Sequence, residues 1–295
     1  MHILVTGAAG FVGRHIAAHL RTQGHEVRGA DLRPLKKRHG DARVEIVDLL
    51  NRESAARAVQ DVDAVVHLAN WPTAWHPEPT RLLIENVTMN QNLIQAMLDQ
   101  EVPKLVFASS IQALAGHVRH GRDTPARLPY LPLDGDVPAD PANIYGLSKQ
   151  MGEDQCRWFC LSRGSRRHRV EVPRSAVALR LPSVRDEPFD PEELTADRLS
   201  WAFGDEAFLA IHVHDAARLV EAILLRHHQG YRCVQAGSRD HWLPGSPAEL
   251  AAKHYPGIPL KRPATELTSL CDLDVLERDF GWTPRERLWA EAAKA

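Results

Sequence analysis

The chain has little cysteine, few aromatic residues and no apolar run long enough to cross a bilayer. Its 295 residues include 4 cysteines and 6% Phe, Trp and Tyr. So few cysteines make no disulfide framework, and they point to a reducing cytoplasm. Cys156 and Cys160 lie four apart on an expected helix and read as two small buried side chains rather than a metal site. An excess of one charge is also missing: 36 basic against 38 acidic residues give a net charge of −2. That balance offers nothing to nucleic acid or to an anionic membrane surface, so neither is expected as a partner. The first residues read as a core strand and not as a signal peptide. No internal repeat is found. The 44% hydrophobic and 25% charged content suits one large domain, or a large one with a small appendage.

Strand and helix patterns alternate through most of the chain. Short β-branched runs fall at 2–5, 26–30, 43–47, 64–67, 104–108 and 176–181. Helical patterns lie between them at 11–23, 52–59, 81–100 and 143–163, with a later helix at 215–226 and a strand at 232–235. This rhythm predicts an α/β fold with a doubly wound parallel sheet. Three stretches break it: 70–80, rich in Pro and Trp; 116–141, rich in Gly, Pro and Asp; and the acidic 182–206. The first two follow strand ends, where open α/β sheets take ligands, so they read as substrate-enclosing loops or as plain surface connections. The basic run 163–169 reads as a solvated turn.

Ile3-Leu4-Val5 runs into Thr6-Gly7-Ala8-Ala9-Gly10-Phe11-Val12-Gly13. Three glycines spaced three apart allow a sharp turn, a close approach to a pyrophosphate and tight helix–sheet packing, and the following helix N-terminus adds free N–H groups. Dinucleotide binding is the expectation. Asp31, at the end of the second strand, suits an adenosine 2′-hydroxyl and favours NAD. Arg33, Lys36 and Lys37 are the competing signal for a 2′-phosphate, or a solvated loop. Asp48-Leu49 follows the third strand, where Asp48 meets an adenine amino group or caps the next helix. His67-Leu68-Ala69-Asn70 closes the fourth strand, where small residues let the backbone pass close to the cofactor, so Leu68 and Ala69 are expected at the cofactor. Asn86 is a structural bridge or an exposed helix residue.

Ser109 and Ser110 end the strand at 104–108, and Tyr145 and Lys149 stand one helical turn apart. Free tyrosine is a poor base at neutral pH, and a nearby ammonium favours its phenolate. Such a phenolate accepts the proton of a substrate hydroxyl while hydride leaves the carbon, with a serine hydroxyl holding the reacting oxygen in line.

The segments TGAAGFVG, HLAN, FASS, YGLSK and FGWTPRE, with Asp31, Asp48 and Asn86, resemble the extended short-chain dehydrogenase/reductases, the NAD-dependent epimerase/dehydratase family, over nearly the whole chain. The resemblance implies a Rossmann fold with Ser110, Tyr145 and Lys149 as the catalytic trio, and Ser109 as the fallback serine. Tyr145 would be the acid/base, and Lys149 would also hold the nicotinamide ribose. Pro182 falls where the family's backbone meets the carboxamide, and Asn86 falls among the cofactor-binding positions. An NAD-binding domain at 1–180, completed by about 208–237, and a small C-terminal substrate-binding subdomain from 181–207 and 238–295 are implied too. So is a homodimer through the helices at 81–100 and 143–163.

Departures narrow the choice. Ile111-Gln112 stands where the family's 4,6-dehydratases carry an Asp-Glu pair. Only 182–209 separates the sixth strand from the next landmark, where nucleotide-sugar epimerases have a longer segment. The compact outline resembles uronate dehydrogenase, although that group's Asn-His pair is also replaced by Ile111-Gln112. By that likeness Arg180 faces a substrate carboxylate, or is structural. Gln112 reaches a sugar hydroxyl or serves its loop. Trp71, Trp75 and His76 form a lid stacking on a sugar face, or a packed loop. His212 and His214 are expected to point the same way on a strand with no third ligand, so no metal is expected. The expected activity is NAD-dependent oxidation of a sugar or sugar-acid hydroxyl; the alternatives are an epimerase with transient oxidation and a non-catalytic NAD(P)-sensing regulator.

Overall fold

Strands without a polar face need helices on both sides, and that requirement organises the molecule. The computed structural model describes residues 1–36, 43–73, 75–118, 127–162, 173–189 and 207–289. In β1 (His2–Thr6), Ile3 and Val5 enter one core and Leu4 the other. In β4 (Ala64–His67), β5 (Lys104–Ser110) and β6 (Ser175–Leu181) the split repeats: Val66, Val106 and Val177 join the first core, and Val65, Leu105 and Ala176 the second. With β2 (Glu26–Asp31), β3 (Val44–Ile46) and β9 (Gly230–Gln235) they form a seven-stranded parallel sheet in the order β3-β2-β1-β4-β5-β6-β9. The doubly wound sheet read from the sequence is therefore present. Its order reverses between β1 and β4, and the crevice beyond the carboxyl ends there is where such sheets take ligands.

Helices α1 (Phe11–Thr22) and α6 (Val213–Leu225) cover one face through Ile16, Leu20, Leu219 and Ile223. Helices α2 (Arg52–Ala58), α3 (Pro79–Asp99) and α5 (Ile144–Leu161) cover the other through Ala55, Leu93, Met97 and Phe159. Asn51 caps α2 by accepting from Ser54 N–H, and Asn143 caps α5 by accepting from Gly146 N–H. Pro79 starts α3 two residues before the expected 81, because proline suits the first helical position. A short helix, α4 (Ala115–Val118), follows β5 through one 3₁₀ turn.

The stretch after β6, read as having little strand signal, opens on β7 (Ser183–Arg185), which pairs in parallel with β8 (Ala210–His212). Three residues are too few to show a period, and this strand exists because β8 lies alongside. The basic run at 163–169, Lys37 and residues 190–206 lie outside the described residues. Two further helices, α7 (Pro247–His254) and α8 (Leu273–Phe280), add Leu250, Leu276 and Phe280 to the first core. All four cysteines are free, with Cys156 and Cys271 buried. No helix among the described residues is long and apolar enough to cross a membrane.

The last described segment is tied down by two carboxylates. Asp215, wholly buried on α6, accepts from the backbone N–H groups of Arg285 and Glu286 and pairs with Arg218. Burial holds its carboxyl above the usual value, opposed by those donors. Asp240 accepts from Leu288 N–H at 2.6 Å. Asp215→Ala would leave two backbone donors and a guanidinium without their acceptor, so urea denaturation should show a loss of about 3 kcal/mol. Asp215→Asn, which keeps one acceptor oxygen, should lose less.

Candidate active site

The turn after β1 has room for backbone only. Gly7 has φ +70°, and a Cβ there would stand 2.9 Å from Ala69 N; a Cβ on Gly13 would stand 2.1 Å from Gly7 O. Gly10 is the N-cap of α1 and offers no side chain, so the first-turn N–H groups keep their positive end for a ligand. Asp31 pins this turn to the end of β2: one carboxylate oxygen accepts from Ala9 N–H at 3.0 Å and the other from Arg33 N–H at 3.1 Å. Asp48 accepts from Leu50 N–H, while Asn51 caps α2, so the capping alternative for Asp48 does not hold.

A cavity of about 1260 Å³ runs past the carboxyl ends of the strands. Gly7, Gly10, Phe11, Val12 and Gly13 line it, as do Asp31, Asp48 and Leu49. The same wall includes Leu68, Ala69 and Pro182, and then Ser109, Ser110, Gln112 and Trp75. Tyr145 and Lys149 complete it. Of the site residues expected from the sequence, Asn86 and Arg180 are absent from this lining.

Both absences have a physical cause. Asn86 is fully buried; its Oδ1 accepts from Trp71 N–H at 2.7 Å and its Nδ2 donates to Ser148 Oγ at 3.0 Å, so it is a bridge between the Trp71 segment and α5 rather than a cofactor ligand. Arg180 is 3% exposed. Its Nε and Nη2 donate to Glu153 at 2.8 and 2.7 Å, and its Nη1 donates to Val137 O at 2.6 Å. A guanidinium held this way has no face for a substrate carboxylate, and the structural reading replaces the ligand one. Ser109 donates to the same Glu153 at 2.6 Å, which leaves Ser110 as the serine not committed to a carboxylate.

Around the rest of the rim, Gln112 Oε1 accepts from Asn143 Nδ2, joining the turn after β5 to the cap of α5. The Trp71 indole N–H donates to Glu85 at 2.6 Å and its ring meets His76 edge-on at 4.7 Å, a packed arrangement. Trp75 is 77% exposed. His212 ends β8, while His214 lies on α6 and not on a strand as expected. A third group, Glu286, does come near, with ligand atoms of the three within 4.8 Å. His212 Nδ1, however, accepts from His214 N–H as the helix cap, and its Nε2 faces Asp186 O at 3.4 Å.

Tyr145 and Lys149 share one edge of α5, with Lys149 Nζ 5.6 Å from the Tyr145 ring centroid. Lys149 is buried and donates to Asn70 Oδ1 at 2.9 Å and Ala108 O at 2.8 Å. Both acceptors are neutral, and burial pushes the amine down to about 7. Asn70 was missed as a site residue by sequence reasoning, which took HLAN as a run of small residues. The signal was there: a polar amide directly after a strand end.

Residues 3–184 match the model of the NAD dependent epimerase/dehydratase family, and the chain belongs to that family. An NAD-dependent glucose-6-phosphate dehydrogenase of Haloferax volcanii is 30% identical over 164 residues, covering 53% of this chain and 62% of that protein. A uronate dehydrogenase of Pseudomonas syringae pv. tomato is 27% identical over 158 residues, covering 53% of each. The matched chain thus spans about half to three-fifths of these curated relatives. The crystal structure of uronate dehydrogenase from Agrobacterium tumefaciens aligns over 97% of this chain and 84% of its own, with a TM-score of 0.64 at 24% identity, a likeness of fold.

The buried amine has a consequence for stability. Unfolded lysine titrates at ~10.4 and Lys149 at about 7, so between those values the folded state binds fewer protons and this group's contribution to stability rises with pH. Its cost is fully present below about 7. Lys149→Met should therefore raise the melting temperature most, relative to the parent, at the acid end. That gain should shrink steadily in melts run toward the unfolded lysine value.

Proposed function

We propose that the protein is a dehydrogenase that binds NAD and oxidises a hydroxyl of a sugar or sugar acid. The observation that carries this reading is that Ser110, Tyr145 and Lys149 line one cavity with the glycine turn and Asp31. The cradle fits a dinucleotide: side chains at Gly7 and Gly13 would fill the turn, and the start of α1, with no side-chain cap, would offer its N–H groups to a phosphate. The Asp31 carboxylate suits an adenosine 2′-hydroxyl and repels a 2′-phosphate, which supports NAD over NADP. The relatives' names, a glucose-6-phosphate and a uronate dehydrogenase, support the carbohydrate substrate.

When bound, NAD supplies the hydride acceptor. Tyr145 takes the proton from the substrate hydroxyl, and Ser110 holds that oxygen in line. Lys149 sets the charge beside the phenol and would hold the ribose hydroxyls of the bound cofactor. We assign cofactor binding to 1–180 with 208–237, and substrate binding to 181–207 with 238–295. The free thiols support a reducing cytoplasm as the compartment.

Incubation with NAD and a panel of sugars and uronates should yield net NADH absorbance. Tyr145→Phe should lower turnover ~100-fold or more while NAD binding, followed by calorimetry, stays near the parent's. Full activity of Tyr145→Phe would remove the acid/base assignment. Retained NAD with no net absorbance and an inverted stereocentre would make the enzyme an epimerase instead.

A homodimer through α3 and α5 is part of the same proposal. Its support is an apolar groove with Val87, Met151 and Trp158 in its wall, and Ile84 and Trp158 exposed on these helices. Trp158→Glu should convert the dimer to monomer in light scattering; an unchanged mass would place the interface elsewhere.

A further inference from the structure

We propose that Asn70 is a positioning residue that holds the Lys149 amine and sets the charge it carries in the site. The inference rests on the reading of Lys149 as the partner of Tyr145, and its test needs no turnover.

Asn70 follows β4 and lines the cavity, and its Oδ1 is the acceptor for Lys149 Nζ on that side. The amide does not choose its own orientation. Its Nδ2 donates to Ala69 O at 2.6 Å and to Asn90 Oδ1 at 3.0 Å, which leaves the oxygen turned toward the amine. Asn90 is oriented in turn, because its Nδ2 donates to Gln155 Oε1 and its Oδ1 also receives His67 Nε2 at 3.0 Å.

The His67 tautomer follows from Thr6. The Thr6 hydroxyl oxygen accepts from Leu68 N–H and Ala69 N–H, so its own proton goes to His67 Nδ1 at 2.7 Å, and the ring must carry its proton on Nε2. Burial pushes His67 down to about 3, so the ring stays neutral at neutral pH, and its Nε2–H and the Asn70 amide both donate to the one Asn90 oxygen. A path of hydrogen bonds thus runs from Thr6, the residue before Gly7, through His67, Asn90 and Asn70 to Lys149. Mutual orientation is what such a partnered network, buried except at Asn70, supplies.

The other groups facing Lys149 do not replace this acceptor. On α5 these are the Tyr145 ring, Glu153 and Cys156; on β5, the Phe107 ring and Ala108 O; on β4, neutral His67. Glu153 is held by Arg180 and Ser109. The amine therefore meets neutral oxygens, and no carboxylate contacts it directly among the described residues.

The test uses the full chain with ¹³Cε-labelled lysine and an NMR titration, the Lys149 signal being assigned by its loss in Lys149→Met. Asn70→Asp keeps the shape and the acceptor and adds a charge, so the Lys149 midpoint should rise by about one pH unit or more. Asn70→Leu removes an acceptor that favours the charged form, so the midpoint should fall. A purely structural role would change melting temperatures and leave both midpoints in place, and that result overturns the proposal. Should Asn70→Leu fail to fold, an unmoved midpoint in the near-isosteric Asn70→Asp overturns it alone. Moved midpoints in a protein that never reduces NAD would instead count against the dehydrogenase reading.

Discussion

A buried carboxylate–guanidinium pair holds the seam on which the site is built. Glu153 stands one turn beyond Lys149 and two beyond Tyr145 on α5, while Arg180 lies on β6 directly opposite Ser109 of β5. The pair is bidentate, and Ser109 joins it. It therefore fixes the helix with the phenol and amine against the strand that ends in Ser110. Arg180 also takes Val137 O, drawing the segment before α5 into the same lock. Buried pairs add little net stability over apolar packing, yet losing one partner is costly because a charge is left alone. Here that cost confines α5 to one position on the sheet.

Two turns of one helix thus treat charge in opposite ways. Glu153 meets a full counter-charge and is closed to the cavity. Lys149 meets neutral oxygens and stays open to it. An amine paired with a carboxylate would keep its proton far above neutrality, whereas one among carbonyls is governed by burial. The glycine turn supplies the complementary part, bringing bare backbone and a helix end to the cavity without a side chain in the way. The two parts are mechanically joined, since Thr6 begins the hydrogen-bonded path that ends at Lys149.

Much of this was legible in the chain as written. Both faces of the sheet are covered, so strands such as Ile3-Leu4-Val5 are continuously apolar, and the helix from 143 is read near its true start. Pro79 and the Asn51 cap carry the same kind of signal, yet α3 is expected at 81 and Asp48 is weighed as the α2 cap. The cavity gathers the glycine turn, Asp31, Ser110, Tyr145 and Lys149 because each sits at a strand end or helix start on the same edge of the sheet. Arg180 and Asn86 misled because a polar residue shows its type in sequence but not its partner. Glu153 lies 27 positions from Arg180, and Ser148 lies 62 from Asn86. β7 was invisible because three residues carry no period.

The sequence by itself determined the alternation of strands and helices, the glycine turn and the spacing of Tyr145 and Lys149, since these are properties of neighbours along the chain. Only the tertiary structure decided which polar groups face the cavity. It committed Arg180 to Glu153 and Asn86 to Trp71 and Ser148, and it turned Asn70 toward Lys149. The physical reason is that a buried hydrogen-bonding group must find its partner, and the partner is chosen by packing between elements far apart in sequence.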